Sequence, residues 1–284
     1  MKTTRMVALT SLAMLAFAAN SLICRIALRD GGIDAASFTA IRLLSGALTL
    51  WLLVQIRHRS TRLAGNWTSA FALFVYAAGF SFAYLSLTAA TGALLLFGAV
   101  QATMIAYGLW SGERLRSWQI AGFTIALLGL FALLLPGLSA PPLLGSVLMI
   151  AAGAAWGVYS LRGRGAGNPT RVTAGNFLRA TPFSVALGLI LWQDLAFDPA
   201  GLAFAIASGA LASGLGYIAW YSALPMLKAT QASTVQLSVP VLTAIGGVLI
   251  LGEALTLRLV LASIAILGGI ALVILKKPGG GTSI

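Results

Sequence analysis

Acidic residues are scarce in this chain: six Asp and Glu stand among 284 residues, beside 18 Lys and Arg, one His and one Cys. Soluble domains carry roughly 25% charged residues, whereas here the charged share is 8% and the hydrophobic share 59%. So little charge cannot cover a water-facing surface, and the composition specifies an integral membrane protein. A lone cysteine, Cys24, leaves no intrachain disulfide to form. The lone histidine, His58, sits with Arg57, Arg59 and Arg62 in a basic cluster between two apolar runs, which reads as a solvated loop and not as a buried proton switch. No His/Cys cluster has metal-ligand spacing, and no HExxH, Gly-x-Ser-x-Gly or Walker loop occurs. Neither a catalytic constellation, a metal nor a cofactor is expected.

The missing acids exclude more. No Asp or Glu falls in the interior of an apolar run. Coupling to protons or sodium usually places a carboxylate at membrane depth, because protonation there toggles a costly charge. A carrier that exchanges cationic drugs for protons needs the same group, so both readings lose their natural residue.

What the chain does have is apolar length. Runs centre near Phe17, Ala47, Ala78, Gln101, Leu127, Ala152, Ala186, Ala212, Pro240 and Ile266. Each is about 18–23 residues, enough for a hydrocarbon core of roughly 30 Å. The first run imitates a secretory signal, with Lys2 and Arg5 ahead of it and Ala16-Phe17-Ala18 as a mock cleavage site. It continues to Leu28, longer than a typical signal core, and is expected to stay as the first span.

Lys and Arg resist translocation, so their distribution orients the spans. Counted over alternate connections, 13 fall on one side and only Arg29 and Arg258 on the other. Both termini are therefore expected in the cytoplasm. The net charge of +12 is then a topology signal that calls for no nucleic-acid partner.

The sequence also echoes itself. A displacement of 137 positions carries Arg25 to Arg162, Arg42 to Arg179, Tyr84 to Tyr221, and Gly79-Phe80 to Gly216-Tyr217. After a three-residue slip, Gly112-Glu113 meets Gly252-Glu253. Each copy holds five spans, and an odd number inverts the second copy across the bilayer. Inverted repeats of this kind build alternating-access carriers with a midplane site. The predicted units are 1–137, 138–276 and a tail at 277–284, with the Pro136–Pro142 stretch joining the copies. Gly153 and Gly157 form a small-xxx-small pair for helix packing, while Gly246-Gly247 and Gly268-Gly269 are candidate bends.

The mid-span residues are aromatic or neutral-polar. Tyr76, Phe80 and Tyr84 recur at four-residue spacing on one face of the third span, as Ser213, Tyr217 and Tyr221 do on the eighth. Phe17, Asn20 and Ser21 come from the first span, Phe97 and Gln101 from the fourth, Trp156 and Tyr159 from the sixth, and Gln236, Ser238 and Pro240 from the ninth. Amides and hydroxyls can hold a zwitterion, and rings can stack on a side chain. Pro240 would also free a backbone carbonyl at membrane depth. Aromatic stripes at helical spacing serve packing as readily as binding. Tyr84 and Tyr221, near span ends, are assigned to a gate or interfacial belt. Arg42 and Arg179, early in spans two and seven, are assigned to gating or interfacial anchoring, and Arg25 to snorkelling at the outer end of its span.

The five-plus-five layout resembles that of the EamA-type drug/metabolite transporters, as do Arg42, the Gly112-Glu113 and Gly252-Glu253 pairs, and the Ala-Ala-Trp-Gly-Val-Tyr stretch at Ala154–Tyr159. The resemblance implies ten transmembrane helices around a central cavity, lined largely by spans one, three, four, six, eight and nine. It also implies export of small metabolites, and the chain resembles the bacterial aromatic amino-acid exporters in length and in its aromatic-rich, carboxylate-free cavity. The Gly-Glu pairs are carried over as turns or caps. The basic cavity residues of the triose-phosphate and nucleotide-sugar carriers of this fold have no counterpart here.

The expected protein is thus an all-α, multi-pass inner-membrane exporter or facilitator of neutral amino acids, aromatic ones included. Its site would draw on Phe17, Asn20, Tyr76, Phe80, Phe97, Gln101, Trp156, Tyr159, Ser213, Tyr217, Gln236 and Pro240. The partners are an amino-acid substrate and the lipid bilayer; the sequence leaves the oligomeric state open, a monomer included. A multidrug or other metabolite exporter of the same fold is the alternative, and a channel-like pore a weaker one for want of a filter or charged ring.

Overall fold

A computed structural model describes residues 2–58, 64–112, 116–137, 140–163, 167–196, 198–227 and 235–274. Glu113, Arg114, Arg164, Lys228 and the 277–284 tail lie outside the described residues, as do the side chains of the basic cluster from Arg57 to Arg62.

Among the described residues the chain is helical throughout. In order, the helices are α1 (Lys2–Arg29), α2 (Ala35–His58), α3 (Trp67–Tyr84), α4 (Ala89–Trp110), α5 (Ser117–Leu134), α6 (Leu143–Gly163) and α7 (Pro169–Ile190). Then α8 (Pro199–Ala207), a π-helical segment (Ser208–Leu215) and α9 (Gly216–Ala223) run on as one rod, followed by α10 (Ser238–Leu251) and α11 (Leu257–Ile274). Lipid offers no hydrogen-bond partners, so a spanning segment must satisfy its backbone internally, and the helix does so. Seven helices are long and apolar enough to cross a membrane, the Pro199–Met226 rod among them, and two shorter apolar helices follow. This is a multi-pass membrane protein.

Local chemistry sets the helix ends. Asn66, Thr88, Asn168 and Asp198 accept from the backbone N–H three residues on and so cap α3, α4, α7 and α8. Pro169 and Pro199 fill first-turn positions where no N–H is needed. Gly252 ends α10 at φ 64°, the left-handed conformation that glycine reaches without strain.

Buried and lipid-facing sides are both apolar, so packing is directed by small residues and by a few polar ones. The principal helix contacts are α2 with α7 and with the π-helical segment, α3 with α6 and α7, α4 with α6, α5 with α11, α1 with α9, α1 with α10 and α4 with α10. The expected Gly153/Gly157 contact is present: a Cβ on Gly153 would stand 2.5 Å from the Leu96 carbonyl, and one on Gly157 2.9 Å from Thr103. Of the candidate bends, Gly269 instead packs backbone to backbone on Gly122 of α5.

Two loop pairings tie α2 and α7 at both ends. Asp34 N–H donates to Ala196 O (2.8 Å) and Asp198 N–H to Gly32 O (2.7 Å). At the other end Ala64 N–H donates to Arg171 O (3.3 Å), and Asn66 N–H to Asn176 Oδ1 (3.0 Å).

Candidate functional site: an aromatic cage backed by a buried arginine

Trp156 is the centre of the molecule's aromatic cluster. Its ring lies 4.7 Å from Tyr217, 4.9 Å from Tyr76, 5.5 Å from Tyr159 and 6.0 Å from Phe17, in tilted or edge-on arrangements. Phe17, Asn20 and Ser21 of α1, Tyr76 and Phe80 of α3, Leu96 and Phe97 of α4, Trp156 of α6 and Tyr217 of α9 enclose one central space. Seven of the twelve residues expected to bind substrate meet there, from five different helices. Its volume is about 10 Å³, the room of about one water. The helices must part before anything larger enters.

The polar groups behind these rings form a chain. Ser208 Oγ donates to Asn20 Oδ1 (2.7 Å), Asn20 Nδ2 donates to the Tyr76 hydroxyl (3.4 Å), and Arg42 Nη2 donates to that same hydroxyl (2.9 Å). Arg42 Nε donates to Ser213 Oγ (3.2 Å). Its guanidinium carbon lies 5.1 Å from the Tyr76 ring centre and 5.0 Å from that of Phe80. The π-helical segment supplies both Ser208 and Ser213. It reaches α2 because Gly209 has no side chain: a Cβ there would stand 2.1 Å from the Arg42 carbonyl.

Arg42 departs from its expected interfacial place. It is 1% exposed, two turns into α2, among the rings of α3 and the π-helical segment. Burying an unpaired guanidinium costs several kcal/mol. Hydrogen bonds to a charged group return about 1.5–3 kcal/mol each, and each ring face roughly 0.5–2 kcal/mol. The offset is incomplete, since Nη1 is buried with no hydrogen-bond partner. Among the described residues Arg42 has no ion pair; the two described ion pairs are Arg25–Glu253 and Arg29–Asp30.

The other expected residues are placed elsewhere. Tyr159 and Tyr221 line a second space of about 120 Å³ with Asn66, Ser69, Arg162 and Asn176. Pro240 lines a third, apolar groove of about 280 Å³ between α4, α10 and α11. Gln101 and Gln236 are buried but outside the central wall, and Gln236 Oε1 has no partner. Tyr84 is fully buried and donates to Ala89 O at 3.3 Å, so it faces no aqueous belt. Arg179 staples α7 to the α2–α3 connection by donating to Ala64 O at 2.9 Å. Arg25 is not left to snorkel: its Nε donates to Glu253 Oε1 at 3.1 Å and its Nη1 to Tyr84 O at 2.9 Å. Glu253 Oε2 accepts from Ala89 N–H at 2.8 Å, so the Gly252-Glu253 turn also caps α4.

Sequence reasoning missed Trp220 and Phe177, which pack on Phe17 (6.1 Å) and Tyr217 (5.6 Å), and it missed Ser208. The placement of Trp220 three residues after Tyr217 was the available signal, since that spacing shares a helix face.

Comparison with known proteins fits this architecture. Residues 143–275 match the EamA-like transporter family. An uncharacterised protein of Pseudomonas aeruginosa is 59% identical over 276 residues, covering 97% of this chain and 96% of its own. The threonine/homoserine exporter RhtA of Salmonella typhimurium is 37% identical over 166 residues, which is 54% of this chain and 55% of the exporter. A protein of known crystal structure superposes with TM-score 0.68 at 20% identity, over 96% of this chain and 98% of that one, and so shares its fold. The chain belongs to the EamA-like transporter family.

Proposed function

We propose that the protein is an inner-membrane exporter or facilitator of neutral amino acids, aromatic ones included, working by alternating access between two inverted five-helix repeats. The observation that carries this reading is the central cage. It joins aromatic walls to amide and hydroxyl groups, it holds no carboxylate among its lining residues, and it lies where residues 1–137 meet residues 138–276.

The helix contacts support the inverted repeat. Let α1 through α5 correspond in order to α6, α7, the α8–α9 rod, α10 and α11. The α3–α6 contact then has its image in α1 with the rod, and α4–α6 in α1–α10. Three contacts, α2–α7, α4–α10 and α5–α11, are their own images. A two-fold axis lying in the membrane plane generates this pattern.

The two ends of the cage differ. At one, Arg25 and Glu253 join α1 to the segments between α3 and α4 and after α10. At the other, its sequence counterpart Arg162 donates to Ser69 Oγ (3.1 Å) and Asn66 Oδ1 (3.3 Å) beside the 120 Å³ space. With both termini cytoplasmic, as the Lys and Arg distribution indicates, the first end is the closed outer gate and the second an inner vestibule. The name of the threonine/homoserine exporter supports amino acids as cargo.

The test is counterflow in liposomes holding the purified protein, comparing tryptophan, phenylalanine, threonine, lysine and an organic cation. Saturable exchange of the neutral amino acids is expected; cation flux without amino-acid flux would sink the reading. A second reading, an exporter of apolar drugs, draws on the 280 Å³ apolar groove at Pro240. It predicts exchange of an apolar dye blocked by filling that groove with Ala244→Phe.

A further inference from the structure

We infer that Arg42 is the anchor for the substrate's carboxylate, and that this transporter selects ligands that carry one. The inference deepens the amino-acid reading and rests on it.

The starting point is an imbalance of charge. Arg42 is 1% exposed and its Nη1 meets no acceptor, while its Nε and Nη2 are held by Ser213 and Tyr76. Arginine stays charged even when buried. A guanidinium fixed on two nitrogens and unfilled on the third is preorganised with one free donor, and a carboxylate oxygen can accept a charge-assisted bond from it. The described acids, Asp30, Asp34, Asp194, Asp198 and Glu253, lie at helix ends or in connections, so among the described residues none is placed in a span interior to fill it.

Position makes the vacancy accessible to a ligand. Tyr76 and Phe80 line the central space on one face and carry the Arg42 guanidinium about 5 Å from their ring centres. Arg42 therefore lies one ring behind the cage wall. In the closed cage those rings stand in for the missing anion through their π faces. When the helices part, a carboxylate that displaces a ring edge reaches both Nη1 and the Tyr76 hydroxyl. The chain from Tyr76 through Asn20 to Ser208 then registers occupancy across α3, α1 and the π-helical segment. A structural role would require only that Arg42 hold α2, α3 and the π-helical segment together, and it would be indifferent to ligand charge.

The experiment uses ligands that change one group at a time: phenylalanine, phenylalaninamide and phenethylamine, which neutralise or remove the carboxylate, and 3-phenylpropionate, which keeps it and lacks the ammonium, with threonine and threoninamide beside them. Each competes against labelled phenylalanine or threonine in counterflow with the purified full-length protein. The native protein is expected to favour each acid over its amide at least tenfold. Arg42→Gln should bring that ratio near one, and Arg42→Lys should retain part of it. Equal competition by acid and amide in the native protein, or an unchanged preference in Arg42→Gln, overturns the inference. Should Arg42→Gln fail to fold, the native protein's thermal shift decides: carboxylate ligands raise the melting temperature and amides do not, and equal shifts overturn the anchor. The two proposals fail separately. If no amino acid moves but 3-phenylpropionate competes and phenethylamine does not, the amino-acid reading falls and the carboxylate anchor stands.

Discussion

Arg25 and Glu253, 228 positions apart, form an ion pair of 3.1 Å whose members are 15% and 9% exposed. Both partners do more than pair: Arg25 also donates to Tyr84 O and Glu253 accepts from the first turn of α4. Removing one partner of a buried pair costs more than the pair contributes, because the other is left charged and alone. Glu253→Gln should lower thermal stability and loosen this end. In a Cys24→Ser, Ser21→Cys background, an impermeant maleimide added outside should label residue 21 several-fold faster when Glu253 is Gln. Unchanged labelling would show that the pair staples helices without gating them.

Trp156 touches four other rings, so its loss removes the floor of the cage. Trp156→Ala is expected to raise the KM for phenylalanine and tryptophan about tenfold while threonine changes little. A tenfold change in affinity corresponds to about 1.4 kcal/mol. Trp156→Phe should recover most of the difference. Counterflow kinetics across the three substrates measures this, and equal effects on all of them would make Trp156 a packing residue.

Tyr76→Phe removes one oxygen that accepts from both Arg42 and Asn20. Leaving two buried donors unsatisfied costs about 1–3 kcal/mol each. The variant should melt several degrees lower in detergent, and a melting curve identical to the native one would break the proposed chain.

Gly209 permits the close approach of the π-helical segment to α2. An added Cβ would meet the Arg42 carbonyl and Ser45 Oγ, both at 2.1 Å. Overpacking of this kind typically costs 1–3 kcal/mol or somewhat more. Gly209→Ala should reduce folded yield and Gly209→Leu abolish it, as read by monodispersity in size-exclusion chromatography.

Much of this was legible in the sequence because it is local. The spans follow from apolar length, and the face of Tyr76 and Phe80 follows from four-residue spacing. The rest depended on how helices meet. Nothing near Arg42 in the chain indicates that Tyr76 and Ser213, 34 and 171 positions away, will hold it. Its place early in a span read as an interface, whereas two helical turns carry it into the interior. The mid-span depth of Pro240 and Gln236 does not say which side of a helix faces the cage. The π-helical segment leaves no mark beyond small residues at six of the seven positions from Ser208 to Gly214.

The loop pairings at both ends of α2 and α7 have a mechanical consequence. Under the proposed two-fold relation, a helix that contacts its own counterpart lies beside the axis, where exchanging the halves produces the least displacement. The α2–α7 pair, pinned at residues 32–34 to 196–198 and at 64–66 to 171–176, is then an axle, and α4–α10 and α5–α11, the latter locked at Gly122 and Gly269, are its further bearings. Arg42 is mounted on that axle. The charged guanidinium stays nearly still through the cycle, and the membrane's two sides take turns coming to it.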